Sequence, residues 1–90
     1  MNIYKLEQSQ NNDYDTYDSA IVAAPNEASA RLMVPGYDTQ EQWKAYWERV
    51  KETLYSYEWA GAPECVQVSF LGVAAPGTTQ SILLASFNAG

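Results

Sequence analysis

The sequence predicts an α+β fold: a mainly antiparallel four-stranded sheet in ββααββ order, with helices on one face, forming a single domain over residues 1–90. Three observations predict it. Four short segments rich in β-branched and apolar residues lie two at each end of the chain. Between them runs an aromatic stripe at helical spacing. The fourth segment is apolar on both faces, so it belongs either at the centre of its sheet or under the partner of an oligomer.

From Asn2 to Ser9, Ile3, Lys5 and Glu7 alternate with Tyr4, Leu6 and Gln8, the pattern of a strand with one partly apolar face. Residues 10–13 read as a turn. Ser19 to Ala24, with the Ile21-Val22 pair, forms a second strand able to fold back on the first as a hairpin. Asn26 is placed to cap a short helix, with Glu27 favoured in its first turn, and Pro35-Gly36 stops it. Asp38 or Thr39 caps the next helix, and Thr39 with Gln42 three residues on matches a capping box. Trp43, Tyr46, Trp47, Val50, Leu54 and Tyr57 then fall on one helical stripe. That stripe reads as core, with one ring free to reach a ligand or a subunit interface. Gly61-Ala62-Pro63 ends the region. Residues 66–71 form a third strand, the turn at Ala75-Pro76-Gly77-Thr78 follows, and residues 81–87 form the fourth.

The charge balance limits the partners. Eleven acidic residues face Lys5, Arg31, Lys44, Arg49 and Lys51, a net charge of −6. Polymeric DNA or RNA takes its affinity from cations that neutralise many phosphates, so neither is expected as a ligand. A small anion needs only one or two well-placed donors. Arg31 is a candidate for that role, or else pairs with Glu27 one helical turn away. The single Cys65 allows no intrachain disulfide and reads as a small hydrophobe or a reactive thiol. No signal-peptide pattern opens the chain, and no run nears the ~20 apolar residues of a membrane span, so no membrane partner is expected.

Catalysis is hard to build here, and the chain is read as not an enzyme. There is no His to shuttle protons near neutral pH or to ligate a metal, and Cys65 has no base partner in sequence. The segment Asn11 to Ser19 holds Asp13, Asp15 and Asp18, which invites a calcium reading. It lacks the glycine at the sixth loop position and has Ala24 where a bidentate Glu belongs, so a solvated turn is favoured and no metal or cofactor is assigned. The same segment interleaves Tyr14 and Tyr17 with Thr16, Asp18 and Ser19. Aromatic faces beside short acceptors suit a nucleobase.

Several stretches together resemble a widespread family of short tailed-phage proteins. They are Tyr4-Lys5-Leu6, the run NNDYDTYDSAIVAA at 11–24 with the Ala- and Arg-containing helix after it, Val66-Gln67-Val68 with Leu71-Gly72, and the ending ASFNAG at 85–90. The Trp-rich middle, residues 36–59, is much less diagnostic. The family includes anti-CBASS sponges, oligomers that sequester cyclic oligonucleotide immune signals without cleaving them. The resemblance implies a homo-oligomer, a tetramer, binding a cyclic dinucleotide such as 3′,3′-cGAMP between subunits in the cytoplasm of an infected bacterial host. The ligand-binding positions staked on it are Tyr14, Thr16, Tyr17, Asp18, Arg31 and Asn88. Two other classes compete. One is an acidic inhibitor that occupies the nucleic-acid groove of a host protein through Asp13, Asp15, Glu41, Glu48 and Glu52. The other is a small virion or assembly component.

Overall fold

A computed structural model describes residues 1–11, 15–53 and 58–88. Strands β1 (Asn2–Glu7) and β2 (Thr16–Ala24) are followed by helices α1 (Glu27–Arg31) and α2 (Gln40–Thr53), a 3₁₀ turn at Pro63–Cys65, and strands β3 (Gln67–Val73) and β4 (Ser81–Asn88). The four strands form one sheet in the order β3-β1-β2-β4, and every neighbouring pair is antiparallel. The predicted α+β class and the sheet with two helices between its second and third strands are therefore observed.

Alternation along β1 decides which face is covered. Tyr4, Leu6 and Gln8 are buried, while Ile3, Lys5 and Glu7 on the opposite face stay half-exposed. Register carries the buried face across the hairpin, pairing Tyr4 with Val22 and Leu6 with Ala20. Against it pack Ala30 of α1, Trp43, Tyr46 and Val50 of α2, and Met33, Val34 and Trp59 from the connecting segments. The predicted aromatic stripe of α2 is thus core at Trp43, Tyr46 and Val50 and half-buried at Trp47. Leu54 and Tyr57 lie outside the described residues. The Tyr46 hydroxyl accepts from the Trp59 N–H at 3.1 Å and donates to the Ala60 carbonyl at 2.8 Å, so a buried phenol joins α2 to the chain that follows it without an unmet donor.

Both helix starts follow their local chemistry. Asn26, extended at φ −158°, accepts from the Ser29 N–H at 2.8 Å. Thr39 Oγ1 accepts from the Gln42 N–H, and Gln42 Oε1 accepts in return from the N–H groups of Thr39 and Asp38. The capping box predicted at the second helix is therefore formed.

The main differences from the sequence reading lie in β2 and β4. β2 begins at Thr16 rather than Ser19, because Thr16 and Tyr17 pair with Asn88 and Phe87 of β4, residues 72 and 70 positions away. β4 is an edge strand, so the central position that its two apolar faces allowed is excluded. The hairpin of β1 and β2 fills the centre instead, and residues 74–80 carry the chain between the two edges.

Candidate functional site

The end of the sheet where β2 begins and β4 finishes gathers four of the six staked residues. Thr16 is buried and stands opposite Asn88, whose amide donates to Thr16 Oγ1 at 3.4 Å. Asp15 turns the chain into β2 with a left-handed φ of 61°, a conformation that Asp tolerates better than most residues, and its N–H donates to the Asn88 carbonyl at 2.6 Å. The half-buried Tyr17 stacks at a tilt on Phe87 with ring centroids 4.8 Å apart. Its edge lies against Gly36, where a Cβ would come within 3.1 Å of the ring. At φ +94°, Gly36 supplies both the backbone conformation and the space for that ring.

Asp18 sits on a bulge. Tyr17 pairs with Phe87 and Ser19 with Ser86, which leaves Asp18 as the extra residue of β2. Its Oδ1 is buried and has no hydrogen-bond partner among the described residues. Asp18 lines a polar hollow of about 380 Å³ with Lys5, Glu7, Gln8, Ser9 and Gln67 among its walls. Lys5 Nζ lies 3.7 Å from Glu7, so the cation of this hollow is shared with a carboxylate, and the hollow keeps an acceptor character.

The clamp on this end comes from residues that the sequence reading did not single out. Gln8 is buried, donates to the carbonyls of Tyr17 at 2.7 Å and Asn11 at 2.8 Å, and accepts from the Asn11 N–H. One amide thereby closes the chain between β1 and β2. The Tyr17 N–H donates to the Glu58 carbonyl at 2.7 Å, and Glu58 is held in turn by the Tyr37 hydroxyl and, at 3.9 Å, by Arg49. Burial raises the Tyr37 phenol above its ordinary 10.0 and the hydrogen bond to Glu58 adds to that, while Arg49 acts in the opposite direction.

Arg31 has other contacts. Its guanidinium donates to the carbonyls of Val66 and Pro63, the latter at 3.4 Å, and pairs with Glu27 at 3.3 Å. The i,i+4 ion pair is therefore present, and the remaining donors tie α1 to the 3₁₀ turn; none reaches Thr16, Tyr17, Asp18 or Asn88. Tyr14 lies outside the described residues, as does Asp13 of the acidic loop. Among the described residues, no three Cys, Asp or Glu side chains cluster as a metal ion would require. Cys65 is half-buried against the core. No helix among the described residues is long and apolar enough to cross a membrane. No protein-family model matches the chain, and neither a curated protein nor a solved structure does.

Proposed function

We propose that this chain is a phage anti-defence protein that sequesters a cyclic oligonucleotide signal of the 3′,3′-cGAMP type, as a homo-oligomer and without cleaving it. The observation that carries the reading is the unpartnered, buried Oδ1 of Asp18, set on a bulge beside the Tyr17–Phe87 ring pair. A buried carboxylate oxygen without a donor is costly, and a ligand N–H removes that cost. A guanine edge offers two such donors on a planar base, and Phe87, exposed on β4 opposite Tyr17, provides an apolar face on which a base can stack. Thr16 and Asn88 complete a set of short polar side chains at the same end of the sheet. Binding without turnover fits a chain that has no His and a single Cys. The resemblance to phage sponges supplies the class of ligand, and the geometry supports a base-binding end.

The deciding experiment mixes purified protein with a panel of cyclic di- and trinucleotides, filters it, and chromatographs the filtrate and the heat-denatured retentate. The expected result is depletion of one ligand from the filtrate and its intact recovery from the retentate. Asp18→Asn, which keeps the shape of the side chain while changing its charge, should weaken binding by about 1–3 kcal/mol. Depletion with altered products would make the protein an enzyme. No depletion at all would transfer the lead to the acidic inhibitor reading, which draws support from the exposed Glu41, Glu48 and Glu52 on α2.

A further inference from the structure

A larger concavity lies on the other layer of the molecule. A cleft of about 780 Å³ opens between α1, α2, the 61–64 segment and Gln80. That volume is in the upper part of the range of about 300–1,000 Å³ that small-molecule sites occupy. Gln40, Lys44, Trp47 and Lys51 line it from α2, at spacings of four, three and four residues that put all of them on one side of the helix.

The state of the five cations singles this cleft out. Lys5 is paired with Glu7, Arg31 with Glu27 and two carbonyls, and Arg49 with Glu58 and Tyr37. Lys44 and Lys51 are the two that engage no ion pair or hydrogen bond among the described residues, and both line the cleft. Lys44 and Glu48 stand one turn apart, yet no ion pair forms between them. The lining also contains Glu48 and Glu64, so it is close to neutral in a chain of net charge −6. Between the lysines, Trp47 is held in place: its indole N–H donates to the Leu32 carbonyl at 3.0 Å and its ring meets Tyr46 edge-on at 5.0 Å. Ser29, Gln40 and Gln80 bring hydroxyl and amide groups that make no side-chain hydrogen bond among the described residues.

A fixed indole flanked by two free ammonium groups, with amides at the rim, is the chemistry that recognises a planar base carrying a phosphate. We infer that this cleft is a second binding site, distinct from the Asp18 end of the sheet, for a nucleotide of the nucleoside monophosphate class. The base stacks on Trp47, and Lys44 and Lys51 hold the phosphate.

The test titrates AMP and GMP into the intact protein by calorimetry, with tryptophan fluorescence as a second readout, at low and at physiological salt. Saturable binding is expected to weaken with salt. It should fall by about tenfold or more in the Lys44→Ala/Lys51→Ala variant, whose positions are exposed and leave the fold intact. Trp47→Leu should lose affinity as well, while Asp18→Asn should bind the mononucleotides unchanged. The inference is overturned if the parent protein shows no saturable binding, if the double lysine variant binds as the parent does, or if Asp18→Asn abolishes binding. The cyclic-nucleotide depletion assay scores the sponge reading separately, so either proposal can fail without the other.

Discussion

At the scale of single residues, Tyr37 shows how a half-buried side chain joins distant parts of the chain. Its hydroxyl donates to Glu58 and accepts from Arg49 at 3.3 Å, while the Arg49 guanidinium lies 5.6 Å over the Tyr46 ring. Because the folded-state phenol is raised above 10.0, the neutral form is favoured in the native protein. The unfolded chain loses that proton first as pH rises. The stability linked to Tyr37 is therefore fully present below about pH 10 and lost as pH climbs from there through the folded-state value. Tyr37→Phe should lower stability near pH 7 by about 1 kcal/mol and flatten the alkaline loss, read as the difference between urea midpoints of parent and variant across pH. Parallel alkaline slopes would remove Tyr37 from the account. Such side-chain partnerships were readable from sequence only at short range. The Arg31–Glu27 pair lies one turn apart, whereas the carbonyls of Pro63 and Val66 that take the other donors are more than 30 residues away. Asp18 was legible as an acceptor beside aromatic residues, but the bulge that isolates its Oδ1 depends on strand register between the two ends of the chain.

At the scale of elements, what lies within one turn is fixed by local chemistry. The Thr39–Gln42 box starts α2 because each residue satisfies a backbone donor near the other, and all of its bonds span four residues or fewer. Thr39→Ala should cost about 0.5–2 kcal/mol of unfolding free energy and Thr39→Ser should recover most of it, both measured by chemical denaturation. Equal stability of parent and Thr39→Ala would show that packing of the Trp43, Tyr46 and Val50 face holds α2 without its cap. Strand position obeys different physics. β3 and β4 are adjacent in sequence yet lie at opposite edges, about 14 Å apart at the usual strand spacing. Seven connecting residues cover that span with ease. The periodicity of β4 announced a strand apolar on both faces. It carried no information about which neighbours would cover them, because the place of β4 at the edge is set by its pairing with β2.

At the scale of the whole molecule, charge and apolar surface are segregated. The carboxylates lie on the helices, the central hairpin and the loops, whereas β3 (QVSFLGV) and β4 (SILLASFN) contain no charged residue and no proline. Phe70, Leu71, Val73, Leu83, Leu84 and Phe87 are all exposed there, with Val73 at 77 % and Leu84 at 68 %. Natural edge strands usually carry a lysine, a proline or a bulge against unwanted pairing. Here each edge has a bulge, at Leu71 and at Leu83, and neither has a charge. A chain of net charge −6 that leaves its sheet edges neutral and apolar avoids repulsion at those edges when copies meet, which agrees with the homo-oligomer proposed above. Sedimentation velocity over a range of concentrations should then find a species larger than the 10.0 kDa monomer. Leu84→Lys should shift it toward the monomer without loss of the folded circular-dichroism signal, since so exposed a side chain contributes little to the core. A parent protein that sediments as a monomer at every concentration would refute assembly. An assembled Leu84→Lys variant would move the interface away from β4 and leave β3, with Phe70 and Val73, as the edge to change next.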